Sequence, residues 1–258
     1  MMTASSLIER GIRDLYTQGY TVFERAWSDD EVDTLRGHLV SKWEELGRPA
    51  LQVNPPVEIG DGVTGPAGLT FPKLATRSPE LASLFFKPFI IDTIRGALGD
   101  GMRLELVAGV LSDKTRPFFD WHVHIDGVDD EYYNYKRPYR RFSKPERVTH
   151  LLYLDDLCED NGELLVLPRK ISDPTEPPYE RTLEEWPDQV EIRCPRGSVV
   201  ILEQCIWHAA RPMRVDGLRC FIGSYFVAEG AKMTPIADRD LVNWGGTDEL
   251  FRSVVPRA

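Results

Sequence analysis

Long apolar runs are missing from this chain, and with them any stretch of the roughly 20 residues a membrane-spanning helix needs. An excess of basic residues is missing too: 31 Lys and Arg stand against 41 Asp and Glu, for a formal charge of −10. Phosphate backbones are bound by basic stripes, so nucleic acid is excluded as the expected partner. Cysteine is scarce. Cys158, Cys194, Cys205 and Cys220 are scattered, with no Cys-x-x-Cys, which excludes a disulfide framework and suits free thiols in a reducing compartment. The first residues, Met-Met-Thr-Ala-Ser-Ser-Leu-Ile-Glu-Arg, lack a basic segment followed by an apolar one, so no signal peptide is expected and the protein reads as soluble and cytoplasmic.

What is present suits one globular domain. The 258 residues, 42% hydrophobic and 28% charged, can bury a sizeable core. No internal repeat or second domain is visible. Residues 1–100 read as a mainly helical scaffold, 101–230 as a β-rich core, and 231–258 as a C-terminal segment.

Leu7, Ile8, Ile12, Leu15 and Tyr16 recur at helical spacing, with Gly19 as the stop. Ser28 followed by Glu31 is a capping box opening a second helix that carries Val32, Leu35, Leu39 and Trp43 on one face. Between Pro49 and about Arg77, prolines and glycines break every period, and a long loop is expected. Ser78-Pro79 starts a further helix that Pro88 divides. From Met102 onward the pattern changes to short strands. Leu104, Leu106, Ala108 and Val110 alternate as one face of the first. Residues 148–154, 164–167, 190–192, 198–202, 206–210 and 219–227 follow, separated by turn signals such as Asn161-Gly162. Many short strands at even spacing predict an all-β core with flanking helices, of double-stranded β-helix (jelly-roll, cupin-like) kind.

The chemistry concentrates in Phe118-Phe119-Asp120-Trp121-His122-Val123-His124-Ile125-Asp126-Gly127. In an extended strand, residues two apart share a face, so His124 and Asp126 project together. His208, late in the chain, is placed by a jelly roll beside that segment. Two imidazoles and one carboxylate form the facial triad of non-haem Fe(II) oxygenases. His122 has the same parity and could join a cupin-like arrangement, but no glutamate follows at cupin spacing, so it is read as a pocket residue. Eleven residues beyond His208, Arg219 shares a face with Phe221, Gly223 and Tyr225. A buried arginine there needs a carboxylate, which a dicarboxylate co-substrate can supply to its planar fork.

His124-Ile125-Asp126, Leu151-Leu152-Tyr153-Leu154-Asp155-Asp156 through Asn161-Gly162-Glu163-Leu164 and Leu167-Pro168, then His208 and Arg219, together resemble the phytanoyl-CoA dioxygenase-like family. The run Gly19-Tyr20-Thr21-Val22-Phe23 extends the likeness toward the N-terminus. The resemblance implies an Fe(II)- and 2-oxoglutarate-dependent dioxygenase that consumes O2. It also implies release of succinate and CO2, and oxidation, by default hydroxylation, of a C–H bond in a small molecule. A natural-product intermediate of secondary metabolism is the expected substrate, and a non-catalytic ligand- or partner-binding relative is the alternative. It further implies that His124, Asp126 and His208 are metal ligands and Arg219 anchors 2-oxoglutarate. The chain departs from the family at Pro168-Arg169-Lys170-Ile171, where Gly-Ser-His is frequent. It departs again at Ala209-Ala210, where a small hydroxyl residue often follows the distal histidine. Thr149 and His150 are expected to take over those co-substrate contacts. Trp121, His122, Tyr132, Tyr133 and Trp207 are expected to wall a substrate pocket, with the tyrosine-rich 127–147 stretch as its lid. The sequence is silent on oligomeric state.

Overall fold

The computed structural model describes residues 3–125, 127 and 140–256. Asp126, Tyr132 and Tyr133, and most of the expected lid, lie outside the described residues.

Twelve strands among the described residues form two antiparallel sheets. The larger holds β1 (Tyr20–Phe23), β2 (Val57–Ile59), β3 (Gly62–Gly65), β4 (Gly68–Phe71), β5 (Arg103–Ser112), β7 (Arg147–Tyr153), β10 (Val199–Glu203) and β12 (Arg219–Val227). Their order is β1-β10-β7-β12-β5-β4-β3-β2. The smaller sheet pairs β6 (Phe119–His122), β11 (Trp207–Ala210), β8 (Leu164–Leu167) and β9 (Val190–Ile192) in that order. Sequence neighbours repeatedly fall in opposite sheets, which is the jelly roll expected from the strand spacing. The short helices α3 (Leu74–Arg77), α4 (Ala82–Phe85) and α6 (Glu249–Arg252) are peripheral to three longer ones, α1 (Ala4–Thr17), α2 (Asp29–Glu45) and α5 (Pro88–Leu98).

The helices cover one face of the large sheet because both surfaces are apolar. Leu15 of α1, Val32, Leu35 and Leu39 of α2, and Ile90, Ile91 and Ile94 of α5 bury against Val148, Leu152, Val199, Ile201 and Ile222. The expected capping box opens α2: Glu31 N–H donates to Ser28 Oγ at 3.4 Å, and Ser28 N–H donates to Glu31 Oε2 at 3.0 Å. Between the sheets lies a second core of Leu151, Tyr153, Leu164, Val166, Val200 and Leu202.

Two expectations are corrected here. The stretch 49–77 is not loop throughout, because β2, β3 and β4 extend the large sheet outward from β5. Strands of three or four residues carry too few positions for alternation to show. The glycines that hid them serve the turns, Gly60 at φ 57° and Gly68 at φ 125°. Leu104 also leaves the face it was assigned. A register shift in β5 against Tyr225 and Phe226 of β12 reverses the parity between Leu104 and Leu106. Leu104 therefore joins the helix-side core, while Leu106, Ala108 and Val110 face inward.

His150 also faces the helices. Its ring meets Trp27 and Phe86 edge-on, with centroids 5.9 and 5.6 Å away, and burial pushes its pKa down to about 3. It stays neutral in the fold while its unfolded counterpart titrates near 6.5. Stability from this group is therefore complete above about pH 6.5 and declines toward pH 3, by about 1.4 kcal/mol per pH unit. In His150→Leu, the acid limb of unfolding free energy against pH is expected to flatten by about one proton.

Candidate metal centre

Three of the chain's histidines converge between the sheets. β6 and β11 pair so that His122 stands directly across from His208. Beyond His122 the strand ends, and His124 is held by its own N–H donating to the Gln204 carbonyl at 2.9 Å. His122 and His208 ring centroids are 4.0 Å apart, His124 and His208 4.8 Å, and His122 and His124 5.2 Å. One ligating nitrogen from each lies within 4.8 Å of the others.

The tautomers follow from the second nitrogen of each ring. His122 Nδ1 lies 2.7 Å from the Asp120 carbonyl, and His208 Nδ1 lies 3.0 Å from that of Ile206. A carbonyl only accepts, so both Nδ1 atoms carry the proton and Nε2 holds the lone pair. His124 Nδ1 lies 2.8 Å from Thr149 Oγ1, the same support from a hydroxyl. All three rings are buried, at 4–5% exposed. Burial, reinforced by neighbouring histidines for His122 and His124, pushes their pKa values below the ordinary range, that of His208 to about 4. They are neutral at pH 7, the state in which imidazole ligates. Three buried lone pairs brought together around one point fit a divalent transition-metal ion.

Asp126, the expected carboxylate ligand, lies outside the described residues. Among the described residues, His122, read from sequence as a pocket residue, stands beside His124 and His208.

These histidines line a cavity of about 190 Å³ together with Arg116, Tyr153, Arg219, Phe221 and Tyr225. The other walls are apolar, with Leu106, Ala108, Val110, Leu151 and Leu164 among them. Arg219, 4% exposed, opens β12 on the inward face as its parity requires. Its guanidinium carbon lies 5.2 Å from the Tyr153 ring centre and 5.4 Å from that of Phe221. Asp155 fixes this end of β12, accepting from Cys220 N–H and from Arg36 Nε, each at 2.8 Å. Burial raises the Tyr153 hydroxyl to about 12, so it stays protonated beside Arg219.

The remaining expected site residues lie elsewhere. Thr149 supports His124, and His150 faces the opposite side of the sheet, as parity along β7 demands. Trp121 and Trp207 are on the outer face of the small sheet, not in the cavity. Trp121 stacks on Trp186 with centroids 4.3 Å apart and planes at 9°, and Trp207 packs on the same ring at 5.6 Å. Each tryptophan precedes a histidine that points inward, so it points outward. Trp186→Ala is expected to cost about 3–5 kcal/mol, read from the urea midpoint, because it removes the ring that backs both histidine-bearing strands. Arg169, in the segment Pro168-Arg169-Lys170-Ile171, forms a buried ion pair with Glu203 at 3.3 Å. Arg116 was not singled out from sequence; it sits between strands before Pro117, where no periodicity marks it.

No family model matches the sequence, and no curated protein matches it. Solved structures match in fold. The non-haem α-ketoglutarate-dependent carbocyclase SnoK from nogalamycin biosynthesis has a TM-score of 0.64 and 20% identity, covering 93% of this chain and 90% of that one. HygX from Streptomyces hygroscopicus, with nickel and 2-oxoglutarate bound, has a TM-score of 0.62 and 15% identity, covering 92% and 93%. The epimerase SnoN, also non-haem, α-ketoglutarate-dependent and from nogalamycin biosynthesis, has a TM-score of 0.62 and 15% identity, covering 95% and 92%. At these identities the likeness establishes a shared jelly-roll fold.

Proposed function

We propose that the chain is an Fe(II)- and 2-oxoglutarate-dependent oxygenase acting on a small molecule, with His122, His124 and His208 as its metal ligands. The observation that carries this reading is the convergence of three buried, neutral imidazoles in a cavity that also holds Arg219. Fe(II) bound there supplies O2 activation coupled to oxidative decarboxylation of the 2-oxo acid to succinate and CO2. The chain's own residues do the positioning. Asp120, Thr149 and Ile206 orient the imidazoles, and Arg219 offers its fork to the distal carboxylate. The apolar walls exclude water and select a substrate with a largely apolar surface.

The carbocyclase and epimerase among the fold neighbours come from nogalamycin biosynthesis, which supports a small biosynthetic intermediate as the substrate here. C–H oxidation, by default hydroxylation, is the proposed outcome. The resemblance to the phytanoyl-CoA dioxygenase-like family supports the oxygenase class, and through it His124, His208 and Arg219 as site residues. The test is succinate formation from 2-oxoglutarate in air with Fe(II). Release is expected from the wild type, stimulated by true substrates. A wild type loaded with Fe(II) that forms no succinate with any of a broad apolar substrate panel would contradict the assignment.

A further inference from the structure

A second guanidinium lines the same cavity. Arg116 is 3% exposed, and among the described residues no carboxylate lies within ion-pair distance of it or of Arg219. Its Nη atoms donate to neutral carbonyls: Pro117 and Ala210, each at 3.4 Å, and Arg211 more closely. Those bonds satisfy donors but cancel no charge. The Nε–H groups of Arg116 and Arg219 are both buried without an acceptor. The two side chains are neighbours across one glycine. A Cβ on Gly162 would stand 2.8 Å from Arg116 Nη2 and 3.5 Å from Arg219 Cδ. Burial and the Arg219 cation together push the Arg116 guanidinium down to about 9, so it remains charged at neutral pH. Two buried like charges without a counter-ion are costly, and the described cavity lining contains no acidic residue.

We propose that Arg116 and Arg219 form a paired cationic site that shares the distal carboxylate of the dicarboxylate co-substrate, Arg116 being a second binding residue for it. A carboxylate has two oxygens and about four lone-pair directions, enough to accept from both guanidinium groups. The Ala210 carbonyl that accepts from Arg116 lies two residues beyond His208, so the second guanidinium is held beside the histidine cluster. The inference rests on the 2-oxoglutarate reading above for the identity of the anion, but not for the existence of the anion site.

The test is calorimetric and thermal, on the full chain. Metal-free protein is titrated with glutarate, and Ni(II)-loaded protein with 2-oxoglutarate and with 2-oxobutyrate, which lacks the distal carboxylate. Arg116→Met is expected to weaken glutarate and 2-oxoglutarate by about tenfold or more, the scale of a lost charge-assisted hydrogen bond. It should leave 2-oxobutyrate unchanged, and Arg116→Lys should restore part of the loss. The ligand-free Tm of Arg116→Met should match or exceed that of the wild type, since an uncompensated charge is gone. An Arg116→Met protein with wild-type preference for the dicarboxylates, whether or not its Tm falls, overturns the proposal, as does a wild type that does not bind glutarate. Glutarate binding that depends on both arginines, without metal-dependent binding of either 2-oxo acid, upholds the cationic pair and defeats the oxygenase reading instead.

Discussion

His122→Ala, His124→Ala and His208→Ala are each expected to lose stoichiometric metal binding and all succinate formation. The expectation separates two centres that sequence spacing alone could not. With a carboxylate ligand, the site would carry one negative charge. Three neutral imidazoles cancel none of a divalent ion's charge, so the carboxylate at the 2-oxo end of the co-substrate would be the first anion to offset it. Each ring is held by a different neighbour, the Asp120 carbonyl, Thr149 Oγ1 and the Ile206 carbonyl, at 2.7, 2.8 and 3.0 Å. The loss of any one ring removes a pre-oriented ligand that the other two cannot replace. Ni(II) or Co(II) titration monitored calorimetrically reads the effect without turnover. Thr149→Val is the milder companion. It leaves the ligand set intact but frees the His124 ring, and loss of such orienting partners typically weakens metal binding about 10–100-fold.

Arg219→Met is expected to raise the 2-oxoglutarate concentration for half-saturation by roughly 10²–10³-fold, with metal affinity unchanged. Breaking one partner of a buried charge pair costs about 3–5 kcal/mol, and each 1.4 kcal/mol is tenfold. The side chain is buried and packed before any ligand arrives. It lies against the rings of Tyr153 and Phe221, and its strand is fixed at Cys220 by Asp155. Little ordering entropy is then spent on binding. Titration of Ni(II)-loaded protein with 2-oxoglutarate measures it, and an unchanged affinity would remove Arg219 from the co-substrate site.

The jelly roll was legible because its long strands obey alternation and its turns carry glycine or proline. Arg219, Phe221, Gly223 and Tyr225 face the cavity together, as period-two parity required. The same rule failed where the backbone departs from a regular strand: the register shift in β5 moved Leu104 to the other face. Trp121 and Trp207 were placed in the pocket by proximity to the histidines, although adjacency in a strand means opposite faces. Arg116 left no mark in the sequence because two of its partners, the Ala210 and Arg211 carbonyls, are brought from nearly a hundred residues away. Long-range placement of that kind is a property of topology, not of local pattern.

The most direct measurement is an anomalous difference map from crystals of the full chain grown with Ni(II) and 2-oxoglutarate. One peak is expected within bonding distance of Nε2 of His122, His124 and His208, with the co-substrate's distal carboxylate on Arg219. A metal bound through the Asp126 carboxylate in place of His122, or no metal between these rings at all, would contradict the three-histidine centre.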